Sequence, residues 1–160
     1  MSWRKRAAWY KSIKKKLDFM SIEEIAKQMV AKGKGILAAD ESTGTMEKRL
    51  KSVNVESSEK NRLHFRETLF TSATMKTCIS GVILFDETIR QTSSSGISIP
   101  ELIKKNGSIP GIKVDKGAKL LAGSDKEKVT EGLDGLRERM EEYYKLGARF
   151  AKWRAVYSIS

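Results

Sequence analysis

Four short apolar runs in this chain lead into charge. Ile36-Leu37-Ala38-Ala39 ends at Asp40, and Ile79 to Phe85 ends at Asp86-Glu87. Ile109 to Val114 carries Lys113 and ends at Asp115, while Phe150-Ala151 runs into Lys152, with Arg154 two positions on. A charge in line with buried apolar residues is costly unless it is paired or used. For Asp86 and Glu87 the reading is structural, as members of salt bridges. Asp40, Lys113, Lys152 and Arg154 together read as a site. Cations with one or two carboxylates suit an anionic substrate: an arginine grips phosphate as a fork and lysines act as point charges. Amines crowded by other cations lose basicity, which prepares them for carbonyl or proton chemistry. The residues by themselves reach as far as a phosphate-bearing carbonyl compound. Ser42-Thr43-Gly44-Thr45 adds a hydroxyl-rich helix start, with Lys48 and Arg49 one turn on, a second pattern suited to phosphate.

The elements that must position these groups alternate. Ser21 with Glu24 fits a capping box for a helix to Ala31, and Gly33 stops it. A strand over Ile36–Ala39 follows, then a short helix from Ser42. A longer helix runs from Ser57 or Ser58 to about Ser72, its apolar face assigned to Leu63, Phe65, Leu69 and Phe70. The near-continuous apolar run Ile79–Phe85 marks a strand covered on both faces, as in parallel sheets. Ser93 to Gly96 is loop, and Pro100–Lys105 starts a helix that Gly107 closes. A third strand spans Ile109–Asp115. The spacing of Leu133, Leu136, Met140 and Tyr143 or Tyr144 predicts a helix over Val129–Leu146, and Phe150–Tyr157 a fourth strand, with Lys152 and Arg154 pointing the same way.

A helix followed by β-α-β-α-β-α-β is an α/β pattern with a parallel sheet. Two architectures fit: an open doubly wound sheet, or part of an eight-stranded barrel. The nucleotide-binding sheet would carry a glycine fingerprint after its first strand, but Gly33-Lys34-Gly35 precedes it and no GxxxxGK[ST] occurs. A closed barrel typically needs about 250 residues, more than the 160 here.

Composition excludes several classes. With 39% hydrophobic and 32% charged residues the chain is globular, and no run approaches the roughly 18 apolar residues of a membrane helix. One cysteine, Cys78, permits no internal disulfide and reads as a small buried thiol. With one histidine, His64, in a helical stretch, the usual zinc ligand set is lacking. The net charge of +11 is uneven. Seven of the 31 basic residues lie in the first sixteen positions, where there is no acid; the remaining 24 face 20 acids. Trp3, Trp9 and Tyr10 are interleaved with those cations, so residues 1–16 could form a binding module for nucleic acid or an anionic membrane. The favoured reading is a solvated arm over residues 1–18, disordered or helical, with neither membrane nor nucleic acid as partner.

Five segments carry a resemblance: Lys32 to Gly44, Gly81 to Thr88, Gly111 to Gly117, Glu131 to Leu136, and Phe150 to Arg154. In order and spacing they resemble class I fructose-bisphosphate aldolase, over about residues 20 to 160. The resemblance implies a parallel (β/α)8 TIM-barrel fragment, its first four strands with an N-terminal helix: residues 19–160 as the N-terminal half of the barrel. It implies a cytoplasmic lyase of glycolysis that cleaves fructose 1,6-bisphosphate through a lysine Schiff base, without cofactor or metal. A zinc-dependent aldolase is disfavoured by the single histidine. By resemblance Asp40 is the carboxylate beside the Schiff-base lysine, and Lys152 the second active-site lysine, assisting carbon–carbon cleavage. Lys113 contacts a substrate hydroxyl or phosphate oxygen. Arg154, Lys48 and Arg49 are phosphate-end ligands, and Ser42 and Thr45 meet phosphate at the first strand–helix turn. Thr45 stands where many relatives carry serine, which keeps the hydroxyl. Arg62 is a further candidate contact. Full-length relatives are commonly homotetramers acting on a phosphorylated sugar. The last four strands, the Schiff-base lysine and the acid–base glutamates are expected to lie outside these 160 residues, leaving the chain inactive by itself, with open sheet edges that favour self-association.

Overall fold

The computed structural model describes residues 20–157 and residue 159. The basic arm lies outside the described residues. Helix α1 spans Ile22–Met29, and the predicted capping box is present: the Glu24 N–H donates to the Ser21 hydroxyl, and the Ser21 N–H to the Glu24 carboxylate at 2.8 Å. Strand β1 (Gly35–Ala39) leads to α2 (Thr43–Lys51), with Ser42 at its N-cap. Helix α3 (Glu59–Phe70) is capped by the Ser58 hydroxyl. The one-turn helix α4 (Met75–Cys78) feeds β2 (Ile79–Leu84), and α5 (Asp86–Ile89) follows at once. Next come α6 (Ile99–Lys105), β3 (Ile109–Lys113), β4 (Ala118–Leu120), β5 (Lys128–Thr130), α7 (Leu136–Leu146) and β6 (Phe150–Lys152).

The main sheet has the order β1-β2-β3-β6, with every pair parallel. This is the α/β arrangement expected from the alternation, open along β1 and β6 rather than closed. Strand period decides which residues do what. On one face Ala39, Val82, Leu84, Ile112 and Val114 join Phe70, Met75, Ile89, Ile99, Ile103 and Tyr143 in the core under the helices. The other face is concave and less covered: it carries Ile36, Ala38 and Asp40 from β1 and its end, Ile83 from β2, Gly111 and Lys113 from β3, and Phe150 and Lys152 from β6. Glycine at 111 is required by close approach: a Cβ there would stand 2.3 Å from the Phe150 ring, directly across the β3–β6 pair.

Three sequence expectations are corrected. The helix expected over Val129–Leu146 begins only at Leu136. Val129 lies in β5, paired antiparallel with β4, and Leu133 is exposed. Gly132 (φ 126°) and Gly135 (φ 63°) hold left-handed backbone that a helix cannot accommodate, and a Cβ on Gly132 would stand 2.9 Å from the Lys116 nitrogen. The fourth strand stops at Lys152, so Arg154 lies beyond it. The partner strand β3 ends at Lys113, and the last pairing contact is the Val114 N–H to the Lys152 carbonyl. Cys78 is exposed rather than buried, because it sits on the last residue of α4.

Candidate active site

Because all four strands are parallel, their carboxyl ends share one side of the sheet, and a cavity of about 810 Å³ opens there. Asp40, Ser42, Thr45, Lys113, Lys152 and Arg154 line it. Asp40 follows the first strand and Lys152 ends the last, yet the Lys152 ammonium donates to Asp40 Oδ2 at 2.7 Å. The concave face thus brings its two edge strands into contact through these side chains. Ser42 and Thr45 share a hydrogen bond at 3.1 Å in the first turn of α2, where the helix dipole favours an anion.

Beside them the Lys113 ammonium donates to Asp115 Oδ1 at 2.5 Å and to the Asp115 carbonyl. Asp115 also accepts the backbone N–H groups of Gly117 and Arg154, the latter at 3.3 Å. Burial pushes the Asp115 carboxyl upward, but Lys113 and the two N–H groups more than offset it, so the group lies below its ordinary value. Asp115 therefore fixes two things at once: the direction of Lys113 and the path of the chain after β6. The Arg154 side chain is exposed at the cavity, and among the described residues neither it nor Lys116 has a side-chain partner. Lys48 and Arg49 are exposed on α2 outside the lining, and Arg49 pairs with Glu41.

Asp86 and Glu87 are engaged in ion pairs, as read from the sequence. Arg62 grips Glu87 through Nε and Nη2, the latter at 2.6 Å, and does not line the cavity. Asp86 accepts from Arg90 at 2.9 Å and from the Tyr143 hydroxyl at 2.9 Å. Burial raises the Asp86 carboxyl, and Arg90 with Tyr143 brings it net below the usual range; burial and Asp86 push the Tyr143 hydroxyl up.

Several lining residues are not among the site candidates the sequence offered: Glu41, Arg90, Lys116, Arg139, Glu142 and Tyr143. Arg139 is spent on the carbonyls of Val114 and Gly132. One more escapes it behind the cavity. Arg66 is 1% exposed, on the same stripe of α3 as Arg62 and Phe70, each four residues from the next. That spacing was the available signal, since a position four from a core phenylalanine faces the core. Among the described residues no cluster of three or more His, Cys, Asp or Glu could hold a metal ion, and no helix is long and apolar enough to cross a membrane.

Fold and cavity define an α/β protein whose parallel strands aim paired lysines and carboxylates into a polar cleft at their carboxyl ends. Sequence comparison narrows this class. The family model for class-I fructose-bisphosphate aldolase matches residues 21–160. A probable fructose-bisphosphate aldolase class 1 from Xylella fastidiosa is 60% identical over 143 residues, covering 88% of this chain and 43% of that protein. Fructose-bisphosphate aldolase 5, cytosolic, from Arabidopsis thaliana is 59% identical over 134 residues, 84% of this chain and 37% of its own length. In three dimensions the chain is similar to fructose-bisphosphate aldolase from Plasmodium falciparum, solved with TRAP and a small-molecule inhibitor, with a TM-score of 0.79 and 46% identity; the likeness covers 89% of this chain and 40% of that one. The chain belongs to the class-I fructose-bisphosphate aldolase family. It spans about two fifths of the length of these relatives.

Proposed function

We propose that this chain provides one side of the site of a fructose-bisphosphate aldolase, which cleaves fructose 1,6-bisphosphate to dihydroxyacetone phosphate and glyceraldehyde 3-phosphate by way of a lysine Schiff base. The observation that carries the reading is the Lys152–Asp40 contact at 2.7 Å with the Lys113–Asp115 pair beside it, inside one cavity. In this reading Ser42, Thr45 and Lys113 bind a phosphate or hydroxyl end of the sugar. Arg154 contributes a cationic contact to the phosphate, while Lys48 and Arg49, outside the lining, act through their charge alone. A carboxylate and an ammonium held together form a proton-transfer couple: Asp40 accepts a proton as the carbinolamine forms or collapses, and Lys152 stabilises negative charge developing on oxygen during carbon–carbon cleavage. The nucleophilic lysine and the acid–base glutamates are not among these residues, a reading supported by the 43% span of the Xylella relative. The mechanism calls for no cofactor. A cytoplasmic setting is supported by the name of the Arabidopsis relative, and homotetramer formation by the family resemblance.

The test is calorimetric titration of fructose 1,6-bisphosphate into the chain. Lys113→Met, and Ser42→Ala with Thr45→Val, are each expected to weaken binding by about tenfold or more. Affinity unchanged in both variants would overturn the assignment of the phosphate end. Borohydride added with dihydroxyacetone phosphate is expected to leave no stoichiometric lysine adduct; a specific adduct on Lys152 would show that the nucleophile is present after all.

A further inference from the structure

Arg66 is the most deeply buried charge among the described residues, and nothing in the reaction uses it. Its Nη2 donates to the Glu41 carbonyl at 2.5 Å and its Nη1 to the Thr88 hydroxyl at 2.7 Å. The guanidinium lies 5.9 Å over the Phe85 ring. Thr88 is itself fully buried, in the turn after β2. Strand β1 ends its pairing at Ala39 with Leu84, so Asp40 and Glu41 run on past the ladder before α2 begins. The contacts of Arg66 fall on this stretch and on the turn beyond β2. Burial pulls the Arg66 guanidinium down from its ordinary value, while the charges of Glu41, Glu87 and Asp40 oppose that fall. An arginine stays charged in such a place where a lysine readily gives up its proton, and its planar fork serves two acceptors in fixed directions.

We infer that Arg66 is the positioning residue of the Asp40–Lys152 pair: by fastening the Glu41 carbonyl to the turn after β2, it sets where the Asp40 carboxylate meets the Lys152 ammonium. The inference rests on the reading of that pair as part of the reaction site. Arg66 touches neither member. Its action passes along the backbone from the Glu41 carbonyl, through the Glu41 Cα and the Asp40–Glu41 peptide, to Asp40.

Chemical labelling of lysine amines, read by peptide mass spectrometry on the whole chain without sugar phosphate, tests this apart from ligand binding. A negative calorimetric titration would leave its outcome standing. Lys113, held by Asp115, is the internal reference. Arg66→Lys keeps an amine donor at the position and loses the fork, and is expected to raise the labelling rate of Lys152 over Lys113 by about three- to tenfold. Thr88→Val frees one arm of the fork and is expected to raise it by about twofold. Asp40→Asn sets the upper limit, and adding Arg66→Lys to it should raise the ratio no further, because both act through one carboxylate. An equal rise at Lys152 and Lys113, which marks general loosening, overturns the inference, as does no rise at all. A further rise on the Asp40→Asn background overturns it too. Should Arg66→Lys lose its cooperative melt by circular dichroism, Thr88→Val decides on the same ratio.

Discussion

The two central strands and the two edge strands of this sheet divide the labour unequally. Strands β2 and β3 are flanked on both sides and carry most of the buried apolar side chains that the sheet itself supplies: Val82, Leu84, Ile109 and Ile112 are at most 1% exposed. Strands β1 and β6 each have a single neighbour, and Ile36 and Ala151 are open to solvent. Yet Asp40 and Lys152, which make the defining contact of the cavity, stand at the ends of those edge strands. Packing holds the centre, and directed polar contacts hold the edges: Arg66 on the Glu41 carbonyl at one side, Asp115 on the Arg154 N–H at the other. Chemistry placed at an edge gains open space for a ligand, and the cost is dependence on a few hydrogen bonds.

Substitutions can break this division in order of expected effect. Phe70→Ala, deep under the central strands, should lower stability by about 3–5 kcal/mol in urea unfolding. Gly111→Ala attacks the junction between centre and edge, where the new methyl meets the Phe150 ring, and should cost about 1–3 kcal/mol; Phe150→Leu on that background should recover part of it. Asp115→Asn removes an edge contact and should cost about 1–3 kcal/mol at neutral pH. Because the Asp115 carboxyl is depressed in the folded chain, its stabilisation is present above the ordinary carboxylate value and lost as pH falls through the lower folded value. The difference between wild type and Asp115→Asn should therefore shrink below about pH 4, read from melts across pH 2–6. Asp40→Asn should cost less than Asp115→Asn, about 1 kcal/mol, because the Lys152 side chain, 32% exposed against 11% for Asp40, regains water when the pair is broken, while Lys152 labelling rises. A large stability loss in Asp40→Asn would contradict the division.

The same division explains what could be read in advance. The β-α alternation and the strands Ile79–Leu84 and Ile109–Lys113 were legible because burial on both faces leaves a continuous apolar run. The capping box at Ser21 and the Asp40–Ser42 turn were legible because caps are local. The β4–β5 hairpin was not, since Leu133, Leu136, Met140 and Tyr143 imitate a longer helix and the decisive fact is the left-handed backbone of Gly132 and Gly135. The end of β6 was hidden in a different way: where a strand stops depends on its partner, and β3 turns away after Lys113. Among candidate site residues, Asp40, Ser42, Thr45, Lys113, Lys152 and Arg154 come together at one cavity, whereas Lys48 and Arg49 stay outside its lining. Arg66 was missed because a charge four residues from Phe70 was not counted as part of the buried stripe.

The Phe150 ring lies against two glycines, with its atoms 3.2 Å from where a Cβ of Gly81 would stand and 2.3 Å from that of Gly111. Positions 81, 111 and 150 are therefore sterically coupled. A ring at 150 and a side chain at 111 exclude each other, so a lineage can gain bulk on the floor of the sheet only after giving up the aromatic that covers it. Random libraries built on this chain should yield changes at 111 almost wholly alongside a smaller residue at 150, a covariation written by steric exclusion and independent of what occupies the cleft above.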